Sequence, residues 1–105
     1  MSTTASTVRV LVIDDSNTIR RSAEIFLKQG GHEILLAEDG FDALAKVNDY
    51  QPQLIFCDIL MPRLDGYQTC AIIKRNPKFA QVPIVMLSSK DGLFDKARGR
   101  MVGAQ

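Results

Sequence analysis

Leu54-Ile55-Phe56-Cys57-Asp58-Ile59-Leu60-Met61-Pro62-Arg63-Leu64-Asp65-Gly66 is the stretch that decides the fold. Its first four residues are apolar without interruption. A strand buried on both faces looks like this, and such strands belong to parallel sheets. An acid, Asp58, follows at once, and Pro62 and Asp65-Gly66 then break the chain. The same order occurs upstream, where the apolar run Val8 to Ile13 ends in Asp14-Asp15. Two buried strands that each run into acid predict a carboxylate cluster at one edge of a parallel sheet, a site for a hard metal ion and a phosphoryl group.

Working outward, the runs 8–13, 33–37, 54–57 and 84–87 read as strands. Ser16 is placed to cap a helix carrying Ile19, Ala23, Phe26 and Leu27 at helical spacing, and Gly30-Gly31 stops it. Asp39-Gly40 turns the chain into a second helix with Phe41, Ala43, Leu44 and Val47. A third helix spans 67–75 and closes at Asn76-Pro77, with Asp65 as a cap or turn residue rather than a ligand. Asp91 is a candidate cap for a last helix over about 93–101. Strands alternating with helices predict an α/β fold with helices on both faces of a parallel sheet. With right-handed crossovers the expected strand order is 2-1-3-4. The first helix then covers one face, and the second and third cover the other. The order reverses between the first and third strands, where open α/β sheets bind ligands beyond the strands' carboxyl ends. Asp14, Asp15 and Asp58 fall there, with Ser88 next door at the end of the fourth strand.

Composition sets bounds. The chain has 105 residues, enough for one domain with a real core. A net charge of +1 supplies no field toward nucleic acid or membrane. No apolar run approaches the length of a membrane span. Residues 1–7, Met-Ser-Thr-Thr-Ala-Ser-Thr, are small and polar, read as a disordered tail rather than a signal peptide, with 8–105 the folded domain. Cys57 and Cys70 lack metal-ligand spacing and read as reduced core thiols, consistent with a cytoplasmic protein. His32, the only histidine, reads as a surface residue at the start of the second strand, and Lys90, Lys96, Arg98 and Arg100 as a solvated face.

The chemistry of the cluster follows from its donors. Crowded carboxylates repel, and the response is a raised pKa or a bound cation. An all-oxygen set fits Mg²⁺, or Mn²⁺ in its place, rather than zinc. Asp58 is central and is the candidate nucleophile, since a carboxylate can attack phosphorus to form an acyl phosphate. The Ser88 hydroxyl could bond a phosphoryl oxygen. Taken singly, each acid is as well read as a turn residue or helix cap; only their joint placement at one sheet edge is specific.

Asp14-Asp15-Ser16, Asp58 with Met61-Pro62 and Asp65-Gly66, and Leu87-Ser88-Ser89 resemble the receiver domains of bacterial two-component response regulators, the CheY-like group with a flavodoxin-like sheet. The segments 39–46, 61–71 and 88–96 are similar to stand-alone receivers of type IV pilus twitching-motility systems, the PilG type. The resemblance implies a cytoplasmic signalling module rather than a turnover enzyme. In it Asp58 accepts a phosphoryl group from a sensor histidine kinase. Asp15, Asp58 and the Leu60 backbone carbonyl ligate Mg²⁺, Asp14 helps through water, and Ser88 is the switch hydroxyl. A downstream motility protein is the implied partner, with no direct contact to nucleic acid or membrane.

The resemblance also implies a fifth strand with an aromatic switch residue, a Lys-Pro and a fifth helix. The sequence stops at Gly103-Ala104-Gln105 before all of them, so a chain shortened at its C-terminus is expected. The fourth strand would then be an exposed edge, open to dimer formation, and the face beside the first helix would show an apolar patch. Two rival functions stand beside the receiver. One is a pseudo-receiver or assembly module that is not phosphorylated. The other is an aspartate-nucleophile phosphatase of the haloacid dehalogenase type, which would want Asp-x-Asp where this chain has Asp14-Asp15-Ser16.

Overall fold

The computed structural model describes residues 7–87 and, for the backbone, Met101–Val102. Its elements are β1 (Arg9–Ile13), α1 (Asn17–Gln29), β2 (Glu33–Ala37), α2 (Gly40–Tyr50), β3 (Leu54–Asp58), α3 (Gly66–Arg75), a 3₁₀ turn (Pro77–Phe79), β4 (Ile84–Leu87) and β5 (Met101–Val102). The sheet order is β2-β1-β3-β4-β5, with the first four strands parallel. The expected order 2-1-3-4 is therefore observed.

Local chemistry sets the helix ends. The Ser16 hydroxyl accepts the Ile19 N–H and starts α1. Gly31, at φ +83°, turns the chain out of that helix in a conformation that side chains resist. The Asp39 carboxylate accepts the Asp42 N–H at the start of α2. Asp65 and Gln68 form a reciprocal capping box on α3.

Strand alternation sends Leu11, Ile13, Ile55, Cys57, Ile84 and Met86 to one face, where α2 and α3 bury them with Val47, Cys70 and Ile73. Val10 and Val12 face the other way and pack on Ala23 of α1, with Leu36, Leu54 and Phe56 only half-buried. Both cysteines are buried and free, as expected of core thiols. A hydrogen bond with the neighbouring Cys70, and then burial, push the Cys57 thiol well above its ordinary range, so it is held unreactive.

Several expectations are corrected. The edge of β4 is not open at Ile84 and Val85, because Val102 and Met101 pair with them antiparallel. This short strand is not the parallel fifth strand that the resemblance implies. Met101 is thus strand rather than the end of a helix; the rest of the expected helix over 93–101, and Asp91, lie outside the described residues, as do residues 1–6 of the expected tail. His32 is half-buried rather than a plain surface residue, and its Nδ1 accepts the Val8 N–H at 3.2 Å. Phe26 has the right spacing for the buried stripe of α1 yet is 68% exposed. None of the described helices is long and apolar enough to cross a membrane.

Candidate metal and phosphoryl site

β1 and β3 are adjacent at the centre of the sheet, with Ile13 opposite Cys57. That register brings the next residue of each chain, Asp14 and Asp58, side by side at the carboxyl edge. Asp15 follows on the exposed turn. One carboxylate oxygen from each of Asp14, Asp15 and Asp58 lies within 4.8 Å of the other two. The sequence argument brought these residues together from topology alone, and the structure places them so. Leu60 lies in the loop after β3 with its side chain half exposed. Ser88, expected at the end of β4, lies outside the described residues.

Backbone bonds hold the acids in place. The Asp14 N–H donates to the Ala37 carbonyl, which extends the β1–β2 ladder to the site. Asp58 is the last residue of β3 and is paired with Leu87. The Ile59 N–H donates to the Leu87 carbonyl at 2.9 Å, and the Gly66 N–H returns to the Ile59 carbonyl at 2.9 Å. The loop from Ile59 to Gly66 is thus closed at its base. Gly66 is required there: a Cβ would run into the Asp58 carbonyl and come within 2.9 Å of Ile59 Cα.

Asp14 and Asp58 are fully buried and Asp15 is exposed. Burial raises the Asp14 carboxyl from its ordinary 3.8 to about 6, helped by the charges of Asp58 and Asp15. The Ser16 N–H, donating to Oδ1 at 2.8 Å, and the Arg20 charge pull the other way. Asp14 Oδ2 is buried and accepts no hydrogen bond among the described residues. Buried carboxylate oxygens cost free energy unless paired or bound to a cation. An all-oxygen trio with such an atom fits a small hard cation such as Mg²⁺.

Arg20 was not anticipated. Its Nη1 donates to the Asp14 backbone carbonyl at 2.6 Å and its Nη2 to Asn17 Oδ1 at 2.6 Å. It fastens the β1–α1 turn from the first turns of α1. The only sequence signal for it is a long cation six residues after an acid that ends a strand, which is too common a pattern to single out.

These observations agree with what the chain is similar to. The response regulator receiver domain family model matches residues 10–105. The chain is 64% identical over 97 residues to Protein PilG of Pseudomonas aeruginosa, covering 92% of this chain and 72% of PilG. It is 32% identical over 97 residues to Protein PilH of the same organism, covering 92% of this chain and 80% of PilH. The crystallised chemotaxis protein CheY4 of Vibrio cholerae superposes with a TM-score of 0.75 at 32% identity, over 78% of this chain and 68% of that one. With the sheet order and the acid corner already in place, these likenesses settle the family: the chain belongs to the receiver domains of two-component response regulators.

Proposed function

We propose that Asp58 is the phosphoacceptor of a receiver that works with Mg²⁺. The observation that carries this reading is the convergence of Asp14, Asp15 and Asp58, one carboxylate oxygen of each within 4.8 Å of the others, beside a buried Asp14 Oδ2 that accepts no hydrogen bond among the described residues. Asp15, Asp58 and the Leu60 backbone carbonyl would hold the ion, with Asp14 assisting through water. Once bound, Mg²⁺ would neutralise charge on the transferring phosphoryl group.

The protein's own part is to present one aspartate. An Asp58 carboxylate oxygen forms a bond to phosphorus as the donor's phosphorus–nitrogen bond breaks. The electron pair leaves with the imidazole of a phosphohistidine, and an acyl phosphate remains on Asp58. Burial of Asp58 keeps bulk water from the new acyl phosphate. The Ser88 hydroxyl would donate to a phosphoryl oxygen and carry the switch. The donor would be a sensor histidine kinase, and the recipient of the signal a motility protein of a type IV pilus or chemotaxis-like system. PilG at 64% identity supports that setting.

The test is phosphorylation by acetyl phosphate with Mg²⁺, read by intact mass. The wild-type chain should gain one phosphoryl group and Asp58→Asn none. Equal gain by both, or no gain by the wild type, would overturn the reading.

A further inference from the structure

Two of the segments that make this chain similar to pilus-type receivers, 39–46 and 61–71, touch one another. Asp39 caps α2 with Oδ1 on the Asp42 N–H at 2.7 Å, and its Oδ2 accepts from Arg63 Nη2 at 2.9 Å. The Arg63 guanidinium also lies 5.1 Å from the centre of the Phe41 ring. Between these two contacts sits Gly40, where an added Cβ would come within 2.8 Å of Leu64 Cδ2 and collide with Thr69 Oγ1. Three successive residues, Asp39, Gly40 and Phe41, therefore meet Arg63, Leu64 and Thr69.

Arg63 makes these contacts from a left-handed backbone, φ 69°, where a non-glycine residue is uncommon. The Leu64 N–H donates to the Pro62 carbonyl across it at 2.7 Å, so the loop turns tightly at this point. Leu60 to Arg63 is the part of the β3–α3 loop above the bond from Gly66 to Ile59. Met61 is buried in the core under α2 and α3, and among the hydrogen bonds and ion pairs of the described residues the Arg63–Asp39 pair is the one that ties this upper part to another element.

We propose that Arg63 is a positioning residue that latches the β3–α3 loop, and with it the Leu60 carbonyl, to the first turn of α2. The proposal rests on the reading of Asp58 and Leu60 as metal ligands given above. The ion pair is too exposed to add much stability, since such pairs contribute little in water. Its role is to hold a backbone carbonyl where a metal with strict octahedral demands can use it. Asp39 shares one carboxylate between the α2 cap and the latch. By linkage, whatever orders the loop also orders the start of α2, and the reverse.

Mg²⁺ affinity, measured by titration calorimetry well below the melting temperature, tests this. Arg63→Ala should weaken binding by about three- to tenfold, the range open to one exposed ion pair plus one cation–π contact. Arg63→Lys, which can keep both contacts, should recover most of the affinity. Arg63→Gly relieves the left-handed backbone but should bind as weakly as Arg63→Ala. Asp39→Asn keeps a capping oxygen and should weaken binding, while Asp39→Asn with Arg63→Ala should be no weaker than Arg63→Ala alone. Wild-type affinity in Arg63→Ala, even with a lower melting temperature, would overturn the latch and leave the site standing. Wild-type binding that survives Asp58→Asn unchanged, or no binding by the wild type, would overturn the site and the latch together.

Discussion

The two faces of the sheet are built to different standards. On the face covered by α2 and α3, the strand residues Leu11, Ile13, Ile55 and Ile84 are almost wholly removed from solvent, as is Ile73 above them. On the α1 face, Val10 and Val12 are buried, but Leu36, Leu54 and Phe56 are half-buried among the described residues. Ile19, Ala23, Phe26, Leu27, Phe56 and Leu87 line an apolar groove of about 170 Å³ there. Period-2 alternation assigns Asp14 to the row of Val10 and Val12, and Asp58 to the row of Leu54 and Phe56. The acids thus end the rows of the loosely covered face. The closed face supplies stability, and the other face leads to the acid cluster.

Substitutions should separate these roles, and the largest effect belongs to the closed face. Ile55→Ala should cost about 2–5 kcal/mol in denaturant unfolding, because a fully buried side chain leaves a cavity behind. Phe56→Ala, one residue away but half-buried, should cost clearly less despite the larger side chain. Equal losses would erase the distinction.

Asp14→Asn should go the other way. The folded-state rise from 3.8 to about 6 means that the native protein holds a proton which the unfolded chain releases between those values. Stability without metal should therefore be intact below pH 4, fall as pH rises toward 6 and stay low above it, by up to roughly 3 kcal/mol. Asp14→Asn should remove most of that slope and raise the melting temperature at pH 7. Mg²⁺ should stabilise the wild type above pH 6, where the carboxylates are ionised, and help little near pH 4. A flat pH profile for the metal-free wild type would contradict the electrostatics of the site.

Gly66→Ala probes the seam between the closed face and the site. The new methyl meets the Asp58 carbonyl and lies 2.8 Å from Met86 Cε, so overpacking should cost about 1–3 kcal/mol and weaken Mg²⁺ binding as β3 shifts. Unchanged stability and affinity would show that the loop base yields freely. The smallest effect is expected at Phe26, 68% exposed on α1, where Phe26→Ala should stay within about 0.5 kcal/mol. A loss above about 2 kcal/mol would mean that the groove is covered in solution.

The fold was legible where strong punctuation bounded a strongly apolar run. Glu33 to Ala37, between Gly30-Gly31 and Asp39-Gly40, and Ile84 to Leu87, after Pro83, have the limits expected of them. The convergence of Asp14, Asp15 and Asp58 was legible because chirality and strand order dictate it without any side-chain detail. The exposure of Phe26 was not legible: helical spacing says which way a residue faces, not whether anything lies over it. The antiparallel pairing of Met101–Val102 was hidden as well, since two residues show no period. Arg20 and Arg63 escaped for a shared reason. One serves a backbone carbonyl, and the other reaches an acid 24 residues away. Neither contact leaves a local signature.

The central position of β1, paired to β2 on one side and β3 on the other, has a consequence for how the protein breathes. Asp14 and Asp58 are 44 residues apart in the chain and meet only while β1 and β3 remain joined. A cation held between them can be retained only by molecules whose sheet centre is closed. In hydrogen–deuterium exchange, the amides of Val10 to Ile13 and Ile55 to Cys57 should slow by the full binding factor when Mg²⁺ is added, while those of the last turn of α1, which can open locally, should hardly change. The slowest-exchanging amides of the chain would then serve as a gauge of the ion, although none of them touches it.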